Sequence, residues 1–139
     1  HEEDVEDNLC LLLPVDSDKS ARVLREEIKK RTGLRVGVVI NDSLGRAWRN
    51  GTLGLAIGVA GITALENYIG GTDIYGRELV VTADAAADEM AAGASLVMGQ
   101  TSEKTPFVLV RGYLPREPVD QTLRGIGPLI RDKDVDLFR

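Results

Sequence analysis

Glycine recurs every three or four residues inside one apolar run of this chain, at residues 51–61. A helix tolerates glycine poorly, because each one costs about 1 kcal/mol relative to alanine. A strand pressed against another backbone, or against a ligand, accepts glycine where a Cβ would clash. The run therefore predicts a strand in close contact with its neighbours. For any single glycine, a tightly packed core strand with bulges is at least as good an explanation.

The segment before this run has the pattern of a β-α-β unit. Residues 9–13 are apolar and predict a short buried strand. Ser17 or Asp18 can cap a helix that follows, and Gly33 ends it. Residues 34–40 then predict a second strand.

Further elements are expected after the glycine-containing run. Residues 64–68 predict a short helix and residues 78–81 a strand. The clearest helix follows, with Thr82 as its cap and Asp84 in its first turn, and its many alanines imply close packing. Residues 107–111 predict another buried strand.

The segment at residues 39–51 combines an apolar strand with an acid, two arginines, an amide and two glycines. A carboxylate such as Asp42 at the end of a strand is a hard oxygen ligand of the kind that Mg²⁺ or Mn²⁺ prefers. The guanidinium groups of Arg46 and Arg49 match phosphate or carboxylate oxygens. A polar turn with solvated arginines explains the same residues, so both interpretations stay open.

Acidic residues near the predicted second helix are the other candidates for chemistry. Asp84 and Asp88 lie one turn apart on one helical face, and Glu89 is adjacent. They could join Asp42 around a divalent ion. Two simpler explanations stay open. The helix dipole favours an acid such as Asp84 in the first turn, and a charged helix face is usually only exposed to solvent.

Composition restricts the class of protein. A chain of 139 residues with 43% hydrophobic and 28% charged residues suits one globular domain. Only 4% of the residues are aromatic, so the core must be aliphatic and stacking platforms for bases are scarce. The net charge of −5 argues against non-specific binding of nucleic acid. A local cluster of arginines can still bind a small anion.

Several catalytic classes have little support in the sequence. His1 is the only histidine and is terminal, and no Ser or Cys is set beside a base. No Walker-type glycine-rich loop with a following lysine is present. Cys10 is the only cysteine, which excludes a disulfide within the chain. No apolar run is long enough to span a membrane, so we expect a cytoplasmic protein.

Six motifs occur in one order along the chain: NDSLGRAWRNG at 41–51, AIGVAG at 56–61, DIYGRELVVT at 73–82, ADEMAA at 87–92, LVMG at 96–99 and VRG at 110–112. This series resembles the coenzyme F420-0:L-glutamate ligase family. The closing DLFR also looks like the end of that family's sequences, so the resemblance extends from Leu11 onward.

The resemblance implies an enzyme that uses GTP to join L-glutamate to the phospholactyl carboxylate of the deazaflavin F420-0 and then adds γ-linked glutamate. It implies Mg²⁺ or Mn²⁺ as cofactor, with K⁺ as a further candidate. It also implies α+β protomers, in which a mixed sheet packs with helices, assembled as an intertwined homodimer. Neither nucleic acid nor membrane is an expected partner.

The resemblance also assigns roles to residues of this sequence. It implies metal binding by Asp42 and Asp84, with Asp88 and Glu89 as alternative ligands. Phosphate or tail-carboxylate contacts are assigned to Arg46, Arg49 and Asn50. The catalytic set is Asp42, Arg46 and Arg49. Further contacts to nucleotide or coenzyme are assigned to Gly45, Asn50, Arg131, Asp132 and Asp134.

The chain departs from the family at its front. Family members begin with an additional N-terminal part that supplies a glycine-containing nucleotide loop, whereas this chain opens on His1 and residues 1–8 do not match. We therefore expect a single domain over residues 1–139 that corresponds to the C-terminal part of the family. Two functions stay open: a ligase that needs the missing part, and a non-catalytic or partner-dependent fragment that binds deazaflavin or nucleotide.

Overall fold

The computed structural model describes residues 12–115 and 125–136. In chain order its elements are α1 (Ser17–Thr32), β1 (Val38–Arg46), β2 (Arg49–Ala60), β3 (Glu66–Asn67), β4 (Ala83–Asp84) and α2 (Ala86–Met98). Two short 3₁₀ turns follow, at Gly127–Leu129 and Lys133–Val135. This content confirms a fold that mixes helices and strands, and both sheets of the described residues are antiparallel pairs. The intertwined dimer stays a prediction.

Helix α1 begins one residue earlier than the sequence predicted. Asp16 is its cap, and the Asp16 side chain accepts a hydrogen bond from the backbone N–H of Lys19 at 2.7 Å. Asp18, one of the two predicted caps, makes other contacts. The predicted end is confirmed, because Gly33 adopts a left-handed φ of 74° and its N–H donates to the carbonyl of Lys29.

Strands β1 and β2 form an antiparallel hairpin that starts with the pair Val38–Ala60. The strand predicted at residues 34–40 therefore begins later and continues through the polar motif. Asp42 pairs with Leu55 in the middle of β1, so its expected place at a strand end is wrong. The first strand of the predicted β-α-β unit lies mostly outside the described residues.

The edge of β2 that does not pair with β1 faces side chains from the two helices. A register shift leaves Ile57 as an extra residue in β2, so Ala56 and Val59 direct their amides toward the same edge. The Asp88 side chain accepts the N–H of Ala56 at 3.0 Å, and the Asp18 side chain accepts the N–H of Val59 at 2.8 Å. Each helix is thereby bound to β2 through a carboxylate.

The core between β2 and α2 consists of small residues. Its buried members are Ala56, Val59, Ala64, Ala87 and Ala91, with Val39, Ile62, Ile126 and Leu129 packed at its margin. A Cβ at Gly54 would lie 2.6 Å from the carbonyl oxygen of Ala91 and 2.7 Å from the Cβ of Ser95. The prediction of a strand pressed against its neighbours is therefore confirmed.

The connection between the hairpin and α2 differs from the prediction. Residues 64–68 contain no helix, because Glu66 lies in β3 and pairs with Asp84 of β4. The second helix begins at Ala86 and is not capped by Thr82, so Asp84 lies before the helix. Pairing with β3 holds Asp84 in an extended conformation.

The strands predicted at residues 78–81 and 107–111 are not formed in the structure. A strand requires a neighbour that pairs with its backbone. The described residues provide only an isolated bridge between Thr72 and Glu78 for the first segment and no pairing for the second. Phe107 is 81% exposed and Leu109 is 68% exposed, whereas Val108 and Val110 line a groove beside α2. Neither α1 nor α2 is long and apolar enough to cross a membrane.

We predict that Asp18→Ala lowers the free energy of unfolding by about 2 kcal/mol, because two partly buried amides lose their acceptor. These are the N–H groups of Val59, at 2.8 Å, and of Ile126, at 3.1 Å. Urea denaturation measures the effect. The control is Asp16→Ala, which removes an exposed cap worth about 1 kcal/mol. An equal or smaller effect of Asp18→Ala would contradict the assigned role.

Candidate functional site

The Asn41 side chain binds the first half of the polar motif to α2. Its amide nitrogen donates to the carbonyl of Ala91 at 3.3 Å and contacts the sulfur of Met98 at 3.5 Å. The amide oxygen of Asn41 is buried and has no hydrogen-bond partner among the described residues. The side chain lies between β1 and α2, where it fixes the distance between the two elements.

Ser43 lies on the same face of β1 as Asn41, because side chains alternate along a strand. The Ser43 hydroxyl donates to the side-chain oxygen of Gln100 at 2.5 Å, and the Gln100 amide donates to the hydroxyl of Ser95 at 3.0 Å. Sequence reasoning did not select Ser43 or Gln100. Ser43 belongs to the motif at 41–51, and Gln100 follows the motif at 96–99. The two residues are 57 positions apart, so no local pattern indicates their contact.

The predicted group of four metal-binding acids is not brought together. Alternation places the half-buried Asp42 on the face of β1 opposite to Ser43. Asp84 lies in β4, and Asp88 accepts the amide of Ala56. Within residues 12–115 and 125–136, no three His, Cys, Asp or Glu side chains form a group that could hold a metal ion. Metal binding by Asp42, Asp84, Asp88 and Glu89 stays a prediction.

The tip of the hairpin presents the predicted phosphate contacts. Gly45, Arg49 and Asn50 are exposed, and Arg46 is half-buried. No acidic side chain of the described residues lies within ion-pair distance of Arg46 or Arg49. The two guanidinium groups are therefore free to bind an anionic ligand, and their catalytic role stays a prediction.

The predicted C-terminal contacts lie in an exposed segment after the first 3₁₀ turn. Arg131, Asp132 and Asp134 are all exposed, and the Asp132 side chain accepts the N–H of Asp134 at 3.0 Å. Within the described part of the chain, no hydrogen bond or ion pair connects these three residues to the hairpin tip. A nucleotide contact by this segment stays a prediction.

A cluster around Glu66 was missed by sequence reasoning. The Glu66 carboxylate is 9% exposed and accepts hydrogen bonds from the Tyr68 hydroxyl, at 2.8 Å, and from the Tyr113 hydroxyl. The hydrogen bond to Glu66, with burial and the nearby Asp84, raises the pKa of Tyr68 to about 12. Burial and the bond to Glu66 raise the pKa of Tyr113. Glu66 and Tyr113 are 47 positions apart in the chain, so no sequence pattern indicates their contact.

A groove of about 470 Å³ runs along the face of α2 that points away from the hairpin. Its walls are mostly apolar, and the charged side chains that line it are Glu89 and Arg111. Tyr113 also lines this groove and links it to the Glu66 cluster.

Comparison with known proteins identifies the family. Residues 1–112 match the family model described as F420-0:Gamma-glutamyl ligase. The chain belongs to this family. The match includes the hairpin, α2 and Glu66, and it confirms the resemblance seen in the ordered motifs. The expectation that residues 1–8 do not match the family is wrong, because the match begins at residue 1.

Curated relatives carry the name coenzyme F420:L-glutamate ligase. The chain is 43% identical to the protein of Methanothermobacter thermautotrophicus, covering 99% of this chain and 54% of the relative. It is 50% identical to the protein of Archaeoglobus fulgidus, covering 78% and 43% respectively. For the protein of Methanocaldococcus jannaschii the identity is 48%, covering 92% and 50%. The chain thus spans about half the length of the curated relatives it matches.

We predict that Glu66→Gln lowers the pKa of both Tyr68 and Tyr113, because a neutral amide no longer opposes a phenolate. Phenolate absorbance during a pH titration measures the change, and the exposed Glu78→Gln is the control. In the unmodified chain the pKa of Tyr68 rises from about 10 to about 12 on folding, so stability should fall as pH rises through this range. Identical titrations of Glu66→Gln and the unmodified chain would contradict the cluster.

Proposed function

We propose that this chain supplies part of a ligase site that joins L-glutamate to the phospholactyl carboxylate of F420-0 at the expense of GTP. Family membership over residues 1–112 carries the proposal. The relatives are named for glutamate ligation to coenzyme F420, and the hairpin tip offers two guanidinium groups without acidic partners among the described residues. The same site would then add γ-linked glutamate.

The chemistry needs positioned charges more than a reactive side chain. A carboxylate oxygen of F420-0 takes the γ-phosphoryl group of GTP, and the bond between that group and GDP breaks. The glutamate amine then attacks the acyl carbon, phosphate leaves, and the nitrogen loses a proton as the amide forms. Arg46 and Arg49 neutralise charge on the transferred phosphoryl group. The lack of a nucleophile-base pair in the sequence is compatible with this route.

The residues fit a divalent metal that is held jointly by protein and phosphates. Mg²⁺ is usually bound through one or two carboxylates together with substrate phosphates and water. Asp42 is a half-buried carboxylate, and no cluster of acids surrounds it among the described residues. A metal bound here would therefore take most of its ligands from phosphates and water. When bound, the metal would neutralise phosphate charge.

A partner-dependent binding fragment is the second candidate function. The chain spans about half the length of its relatives, and the described residues contain no complete group of metal-binding acids. Under this alternative the chain binds deazaflavin or nucleotide without turnover.

We predict that Mn²⁺ raises the melting temperature of the chain and that Asp42→Asn abolishes the rise. An amide keeps the size of the side chain but loses the charge that attracts the cation. Thermal unfolding with and without Mn²⁺ measures this, and the exposed acid variant Glu78→Gln should retain the full shift. A Mn²⁺-induced rise that survives in Asp42→Asn would refute the metal assignment.

We predict that the chain alone, with GTP, Mn²⁺, L-glutamate and F420-0, forms little glutamylated product. Adding the N-terminal part of a relative in trans should restore product, because that part is expected to supply the nucleotide loop. Mass spectrometry of the coenzyme measures the added glutamate. Full turnover by the chain alone would exclude the partner-dependent alternative.

A further inference from the structure

The tip of the β1–β2 hairpin carries an unusual aromatic residue. Trp48 is the only tryptophan of the chain, it is 95% exposed, and its φ of 63° is in the left-handed region. That region favours Gly, Asn or Asp, and a bulky residue there is a genuine outlier. Solvent exposure and backbone strain both oppose a tryptophan at this position. Since strain of this kind is typically retained at ligand-binding sites, the outlier indicates a function.

The surroundings of Trp48 distinguish it from Tyr75, another exposed aromatic residue. Arg46 precedes it and Arg49 follows it, and neither guanidinium has an acidic partner among the described residues. Tyr75, which is 75% exposed, already lies against the guanidinium of Arg77 at 5.2 Å from its ring centre, and Arg77 is paired with Asp73. At the hairpin tip, in contrast, an exposed ring lies between two arginines that have no acidic partner among the described residues.

The hairpin also sets the distance between its tip and Asp42. Asp42 precedes Arg46 by four strand residues, which at about 3.3 Å per residue corresponds to about 13 Å. A ligand with its ring on Trp48 would therefore lay a flexible tail along the hairpin toward Asp42. The arginines lie between these two points and match phosphate on such a tail.

We propose that Trp48 is a stacking platform for a planar fused-ring heterocycle whose tail carries phosphate, with Arg46 and Arg49 as the phosphate contacts. The inference rests on the proposed function, since two of its substrates have this chemistry: the deazaflavin F420-0 and GTP. An aromatic side chain stacks on heterocycles of many kinds, so either ligand could occupy Trp48. The experiment below distinguishes F420-0 from GTP.

The test measures the dissociation constants of F420-0 and of GTP separately, by equilibrium dialysis without glutamate. Trp48→Asn should weaken binding of the stacked ligand by about ten- to hundredfold. Trp48→Phe keeps a smaller ring and should weaken binding less. Tyr75→Ala is the matched control, because it removes an exposed ring from another loop, and it should bind like the unmodified chain. The ligand that responds to Trp48 is the occupant.

Thermal unfolding separates binding from a structural role. Asn accepts a left-handed φ, so Trp48→Asn should keep or raise the melting temperature while it loses affinity. Unchanged affinity of Trp48→Asn for both ligands would overturn the proposal, whether or not the melting temperature falls. So would the absence of measurable binding of either ligand to the unmodified chain. The outcome is independent of metal and of turnover, so the Mn²⁺ response of Asp42→Asn tests the proposed function separately.

Discussion

The described fold depends on how the free edge of β2 satisfies its backbone amides. A two-stranded hairpin leaves such an edge open, and an open edge either pairs with another chain or must be covered. Here the Asp88 and Asp18 carboxylates accept the amides of Ala56 and Val59, and the extra residue Ile57 brings both amides to that edge. Hydrogen bonds to an ionised acceptor are stronger than neutral ones. The same two contacts therefore complete the edge and fix both helices.

The position of the polar motif follows from this attachment. Asp88 holds the start of α2 on β2, and Asn41 contacts Ala91 and Met98 farther along the helix. Gln100, immediately after the helix, then meets Ser43. The close approach is possible because Gly54 has no side chain where the backbone of α2 passes. The small residues that let α2 approach β2 therefore determine where Asn41 and Ser43 meet their partners.

The sequence predicted features that depend on local rules and missed those that depend on distant partners. The end of α1 at Gly33 and the close packing of β2 follow from the conformational freedom and small size of glycine, and both were predicted. The spacing of Asp84 and Asp88 predicted that both lie on one helical face, yet Asp84 pairs in β4 and Asp88 accepts a backbone amide of β2. Spacing along a helix cannot show which group a carboxylate will meet. The family, in contrast, was recognisable because its motifs occur in a fixed order.

The hairpin is anchored at one end and open at the other, and this division suits a site that works by positioning. Burial along β2 rises from exposed residues beside the tip to buried residues beside the core. A packed base limits the movement of the strands, while the tip keeps its cations and its ring accessible. Transfer of a phosphoryl group to a carboxylate requires charges in fixed places but no protein nucleophile. A rigid hairpin with an accessible tip therefore suits the proposed phosphoryl transfer.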